Sequence, residues 1–182
     1  MPLSKAAPRR HIHTREIRCL GFEREDGLWD IEGTMTDTKT YTVDNQDRNG
    51  IAAGEPIHAM RIRVTIDADM LIHDIDVATD SGPYGICGTI VAAYQSLKGQ
   101  RIKAGWRRTV LERLGGIKGC THHTDMLLGP LAVTAFQTMR KVRVQRAEAE
   151  PMARPITLDT CHALASTSPV VKSRWPQFYT GG

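Results

Sequence analysis

Residues 114–126 read Leu-Gly-Gly-Ile-Lys-Gly-Cys-Thr-His-His-Thr-Asp-Met, which brings one thiol, Cys120, and two imidazoles, His122 and His123, within four residues. Gly115, Gly116 and Gly119 free the backbone ahead of them for a sharp or left-handed turn. Thr121 or Thr124 offers a hydroxyl to the orphan N–H groups of a helix's first turn. The pattern predicts Cys120 at or just before a helix N-terminus, where the positive end of the helix dipole favours a thiolate. That position suits a metal ligand, a nucleophile or an anion pocket. The alternative is a tight loop around a buried thiol.

Cys87 follows a similar approach, Ser81-Gly82-Pro83-Tyr84-Gly85-Ile86. With His58, Cys120, His122, His123, Cys161 and His162 it supplies enough ligands for a tetrahedral zinc or a non-haem iron site. In one arrangement His58, Cys87 and Cys120 share the metal; in the other the two cysteines are small apolar fillers at helix starts. No Cys-x-x-Cys pair or His-Glu-x-x-His motif makes the spacing diagnostic. For proton transfer, His122 ranks ahead of His123 because it stands beside the glycine turn, and Tyr84 is a hydroxyl donor for a phenolate or carboxylate. Asp26, Asp30 and Glu32 surround one hairpin with Arg24 and Trp29, and a carboxylate desolvated there would be poised to move protons. Asp30 and Glu32, however, share the strand face opposite Trp29, which favours solvent. Arg24 and Arg61 are candidates to pair an anionic substrate group, and Trp29 and Trp106 to line its binding site.

The elements that must hold these groups follow from periodicity. Residues 1–14 lack any period and read as an arm. Ile17, Cys19 and Gly21 alternate with Arg18 and Leu20, Phe22 extends the run, Glu25-Asp26-Gly27 is a turn, and Leu28 to Met35 alternates again, giving a hairpin with one apolar face. A polar loop at 44–55 reads as a rim over a site. Met60, Ile62, Val64 and Ile66 then alternate with Arg61, Arg63, Thr65 and Asp67, and Leu71 to Thr79 is the antiparallel partner. Thr89 to Leu97 reads as a helix closed by Gly99, Ile102 to Leu114 as a second, and Thr124 to about Val144 as a long third helix, with Pro130 about one turn inside it favouring a start near Gly129. Residues 147–182, with their prolines, read as an extended tail. The order predicts an α+β domain over residues 15–146, an antiparallel β-meander with three helices on one face.

Composition narrows the function. The 182 residues carry a net charge of +4 and only 5% aromatics. This is mildly basic, without the dense basic face interleaved with aromatics that nucleic-acid binding requires. No apolar run suggests a membrane span or a signal peptide. Four widely spaced cysteines fit reduced thiols in the cytoplasm. No glycine-rich nucleotide fingerprint is present. A tail without a core of its own favours a neighbouring surface, which points to a homodimer.

Two resemblances extend this reading. His58, Cys87, Leu97-Lys98-Gly99 and Cys120, in that order over about half of the chain, resemble the IscU/NifU iron–sulfur scaffolds. The resemblance implies that His58, Cys87 and Cys120 meet at one end of the sheet, although His58 stands where that family has Cys and Ala59-Met60 replaces its Gly-Asp. The stretches Arg24-Glu25-Asp26-Gly27-Leu28-Trp29-Asp30-Ile31-Glu32-Gly33, Gly54-Glu55-Pro56-Ile57-His58, Gly119-Cys120-Thr121-His122 and Leu158-Asp159-Thr160-Cys161-His162 resemble the bacterial family called domain of unknown function 2889. That resemblance implies a link to lignin-derived aromatics, through relatives that release formaldehyde from a phenylcoumaran side chain. The expectation is a lyase on a small aromatic substrate needing no cofactor, with His58, Cys87, Cys120, His122 and Tyr84 as its catalytic candidates. A zinc- or iron-handling scaffold and a non-catalytic ligand-binding module are the alternatives.

Overall fold

The computed structural model describes residues 2–150 and 153–182. They fall into two compact units, residues up to Met139 and residues from Arg140 on.

In the first unit, β1 (His13–Glu23), β2 (Trp29–Lys39), β3 (Pro56–Ile66) and β4 (Ile72–Ser81) form one antiparallel sheet in sequence order. The meander is therefore as the alternation predicts. The first turn closes with Gly27 at a φ of 80°, a conformation that favours glycine. Ile31 and Met35 of β2, Met60, Ile62, Val64 and Ile66 of β3, and Ile75 of β4 are buried on one face. Each such side chain contributes roughly 1.5–3 kcal/mol by leaving water. The opposite face carries cross-strand charge pairs, Arg63 with Glu32 and Arg61 with Asp80. The sheet is thus covered on one side, an α+β arrangement.

The covering layer departs from three continuous helices. Residues Gly85–Leu97 form a 3-10 segment against β4, with Tyr94 and Leu97 buried. Helix α1 (Trp106–Leu114) buries Trp106, Val110 and Leu114, the stripe its period predicts. The long third helix is broken into three: α2 (Thr121–Leu128), packed on β3, α3 (Pro130–Thr138), packed on β1 and β2, and a further helix that starts at Arg140. Gly129, at φ −123° and ψ −86°, leaves helical geometry, and Pro130 lacks the N–H needed to continue α2 but fits the first position of α3. Close packing shapes the contact of α3 with the sheet. A Cβ at Gly21 would fall 1.8 Å from the Thr138 hydroxyl, and one at Gly33 would fall 3.1 Å from Leu131.

The second unit holds α4 (Arg140–Ala149), α5 (Pro169–Arg174) and two short 3-10 turns. The stretch read as an extended tail therefore contains helical turns. Ser168 caps α5 by accepting the Val171 N–H, and the Asp159 carboxylate accepts from Ser166 N–H and from Arg154.

Candidate functional site

At one end of the sheet the buried face turns from apolar to ionisable. On β2 the inward series Ile31, Gly33, Met35 ends in Asp37, which is 2% exposed. Register places Arg15 of β1 opposite Asp37, and Asp37 opposite His58 of β3, so one rung across three strands carries all three groups. Arg15 grips the carboxylate with two bonds of 2.7 Å, Nε to Oδ1 and Nη2 to Oδ2. His58 Nδ1 lies 3.0 Å from Oδ2, and His13 Nε2 lies 3.4 Å from Oδ1. Since the carboxylate can only accept, His58 presents Nδ1–H to it, which leaves the Nε2 lone pair free.

The helical layer supplies the other half. The rings of His58 and His122 lie 3.8 Å apart, and His122 Nε2 is 3.8 Å from Asp37 Oδ2. His122 Nδ1 is also 3.8 Å from Cys120 Sγ, within reach of a weak hydrogen bond to sulfur. The His58 and His122 side chains remain 16% and 23% exposed, enough for a ligand atom to reach either ring.

Electrostatics follows from this packing. Burial by itself would raise the Asp37 pKa, but the Arg15 guanidinium, and then His58, bring it below the usual carboxylate value. Arg15 is in turn held above its ordinary value by its bond to Asp37. Burial, with Arg15 and His13 pushing the same way, lowers His58 against the raising effect of Asp37. Burial also lowers His122, with His58 and Arg15 pushing the same way against Asp37 and Asp125. At neutral pH the site therefore holds an ionised carboxylate, a guanidinium and two neutral imidazoles. Such a set can take up and return protons. Asp37, His58 and His122 could also hold a metal ion, because one ligand atom from each lies within 4.8 Å of the others.

The glycine turn positions Cys120 and His122 by a different device from the one its sequence suggests. Only Gly116 is left-handed, at φ 60°, whereas Gly115 and Gly119 are extended. Their lack of a side chain matters for space: a Cβ on either would sit 2.4 Å from a backbone carbonyl, of Leu111 or Leu114 respectively. No threonine caps α2. Cys120 takes the N-cap position without a side-chain bond. Its backbone is instead held by the fully buried Tyr94, whose hydroxyl accepts the Cys120 N–H and donates to the Cys120 carbonyl, both at 3.0 Å, with the Thr124 hydroxyl 3.2 Å away. Tyr94→Phe is expected to cost about 1–2 kcal/mol in urea unfolding, because it strands the Cys120 N–H. Thr124→Val, which leaves the Cys120 bonds intact, is expected to cost less.

His123 points the other way. It is fully buried, with Nε2–H donating to the Ala78 carbonyl at 3.2 Å, and burial lowers its pKa. His58, His122 and His123 are all held below their unfolded values, so the unfolded chain binds more protons just below pH ~6.5. Stability is therefore expected to be fully present above the unfolded imidazole pKa and to fall as pH drops through it. Urea midpoints between neutral and mildly acid pH measure that slope, and His123→Gln should flatten it in part.

The remaining candidates lie elsewhere or are otherwise engaged. Neither Cys87 nor Cys120 belongs to the cluster of potential ligand atoms, so the expected set of His58, Cys87 and Cys120 is replaced by Asp37, His58 and His122 among the described residues. Cys87 packs against Gly82, where an added Cβ would come within 2.7 Å of it, and Tyr84 beside it is 62% exposed. Arg24 is taken by Asp26 and Asp30 at the opposite end of the sheet. Trp29 lies there too, and the eight residues to Asp37 span roughly 26 Å of strand. The carboxylates of that hairpin are engaged likewise: Asp30 accepts from Thr65, and Glu32 from Arg63. Arg61 holds Asp80 on the uncovered face through two 2.7 Å bonds. Trp106 is buried, its indole N–H donating to the Leu127 carbonyl at 2.9 Å, so it ties α1 to α2. Cys161 and His162 lie in the second unit.

Asp37, Arg15 and His13 escape a motif search because none stands in a motif. Their signal is the alternation itself: Asp37 and Arg15 continue the inward series of β2 and β1, where an apolar residue is expected.

Fold and site together define an α+β protein with a carboxylate–imidazole cluster at one end of a four-stranded meander. The chain's residues 13–137 match the family model described as protein of unknown function, DUF2889, and the chain belongs to that family. The match begins at His13 and includes Arg15, Asp37, His58, Cys120 and His122. No curated protein and no solved structure matches, so the likeness to iron–sulfur scaffolds finds no confirmation. Among the described residues no helix is long and apolar enough to cross a membrane.

Proposed function

We propose that this protein is an acid–base lyase that releases formaldehyde from the hydroxymethyl side chain of a phenylcoumaran, or of a closely similar phenolic dimer. The observation that carries the reading is His58, oriented by the buried Asp37 at 3.0 Å and facing His122 at 3.8 Å between ring centroids. The free Nε2 of His58 takes the hydroxyl proton. The carbon–carbon bond to the hydroxymethyl carbon breaks as its C=O forms, and its electron pair becomes the stilbene double bond. The aryl ether C–O bond breaks in turn, and the departing phenolate oxygen takes a proton from an imidazole. Atoms and electrons balance without an oxidant. Asp37 stabilises the imidazolium that forms, and Arg15 fixes Asp37. The substrate class rests on the family resemblance and the chemistry on the geometry.

The test is to incubate the purified chain with a phenylcoumaran and measure formaldehyde and stilbene before and after chelation. Both products are expected, unaffected by the chelator and lost in His58→Ala and His122→Ala. No product from any phenylcoumaran would overturn the reading.

A second reading is favoured by the 4.8 Å grouping of Asp37, His58 and His122, which would suit zinc or iron. Against it, Arg15 already occupies both oxygens of Asp37, so a cation would have to displace one arm of the guanidinium. Elemental analysis decides: stoichiometric metal that disappears in Asp37→Ala supports the second reading.

A further inference from the structure

We infer that two copies of this chain pair antiparallel through β1, about a two-fold axis at Ile17, so that their two four-stranded sheets become one continuous sheet. This goes beyond the proposed reaction and does not depend on it.

The first observation is the edge itself. β1 is the terminal strand of the sheet, its eleven residues pair with β2 on one side only, and its register has no bulge. It carries no proline. Proline and bulges are two of the devices that blunt such edges, whose free N–H and C=O groups invite another strand; β1 relies on charges instead, and these can be paired by a second copy. Most of β1 is exposed, including Ile17 at 40% and Phe22 at 44%, and Ile12 just before it is 48% exposed.

The second observation is charge complementarity, which selects the occupant. Glu16 and Arg18 flank Ile17 on the uncovered face, and their neighbours on β2 are the neutral Thr36 and Thr34. Neither side chain enters a hydrogen bond or ion pair among the described residues. A two-fold axis at Ile17 sets Glu16 opposite the partner's Arg18, and Arg18 opposite the partner's Glu16. The same register sets Ile12 opposite the partner's Phe22, and His11 opposite the partner's Glu23. Opposite charges and apolar pairs directly across strands are the favourable cross-strand combinations. Moving the axis to between Cys19 and Leu20 would oppose Glu16 to Glu23 and Arg15 to Arg24, so charge disfavours that register.

The helical layer permits the approach. Helix α3 sits over the later part of β1, with Thr134 beside Cys19 and Thr138 over Gly21. In the antiparallel pair the partner's α3 lies over the part of its strand that adjoins Arg15 and His13. The two helices are then offset along the strands by about six residues, or roughly 20 Å, and do not collide.

Sedimentation equilibrium on the full chain tests this. Wild type is expected to dimerise. Glu16→Arg and Arg18→Glu, both at exposed positions, are each expected to weaken the dimer on the order of tenfold or more while circular dichroism stays unchanged. The double variant restores the opposite charges and is expected to restore the dimer. Mixing the two single variants is expected to yield a heterodimer. One copy then carries two cations around Ile17 and the other two anions, so both cross-strand pairs are of opposite charge. A monomeric wild type at the highest soluble concentration, or a dimer indifferent to the swaps, overturns the proposal.

Discussion

If the chain is the lyase proposed above, Asp37→Asn is expected to lower formaldehyde release by a factor on the order of 100 to 10,000, the usual range for lost general acid–base catalysis. The amide keeps the size of the carboxylate but not its charge. It no longer offsets the imidazolium that forms when His58 takes a proton. Its NH2 can also donate to Nδ1, which would move the ring proton to Nε2 and remove the base. Arg15 loses the anion it grips through two 2.7 Å bonds. The fall is expected in kcat, since Asp37 acts through His58 and its charge matters most when the imidazolium forms. Residues that act as a unit are not additive, so Asp37→Asn combined with His58→Ala should be hardly worse than His58→Ala alone. An Asp37→Asn enzyme with more than half of wild-type turnover would remove Asp37 from the mechanism.

The second large effect is structural and reaches the site through the backbone. Gly119→Ala is expected to destabilise the chain by about 1–3 kcal/mol in urea unfolding, the cost of forcing atoms into a packed space. The added methyl would lie 2.4 Å from the Leu114 carbonyl and 3.1 Å from its Cβ. Neither can move without disturbing the end of α1, where Leu114 is buried. The φ of −154° at Gly119 is open to any residue, so the penalty comes from crowding. Because Cys120 and His122 follow directly, the same change should also shift His122 from Asp37 and lower turnover in whatever protein still folds. Gly116→Ala is the contrast: its left-handed φ of 60° carries strain with nothing within 4 Å, so its cost is expected to be about 1 kcal/mol, with little effect on the site. Equal costs for the two variants would show that the 2.4 Å approach does not govern this turn.

These two residues show how unevenly the site can be read from sequence. Gly119 stands in a glycine-rich run that draws attention, but its purpose is spatial, and no local pattern tells a glycine needed for φ from one needed for clearance. Asp37 stands in Met-Thr-Asp-Thr-Lys, where a carboxylate among threonines looks like an exposed strand end. It becomes significant only when the inward series Ile31, Gly33, Met35 is carried two residues further. His58 and His122 are visible as chemically able residues, whereas Arg24, Trp29 and Arg61 attract notice for their type and lie at the other end of the sheet or on its other face.

The sequence by itself determined the meander, its buried face and a helix start near Gly129-Pro130, because alternation, turn residues and proline's missing N–H act between near neighbours in the chain. It also placed His122 two residues beyond Cys120, at the start of a helix. Only the tertiary structure decided that Arg15, Asp37 and His58 share one rung, that His122 closes over it, and that Cys87 stays outside. Those contacts join residues 15, 37, 58 and 122, and such pairings depend on strand register and on where helices settle over the sheet. Both are fixed by the whole core at once, and no short window of sequence contains them.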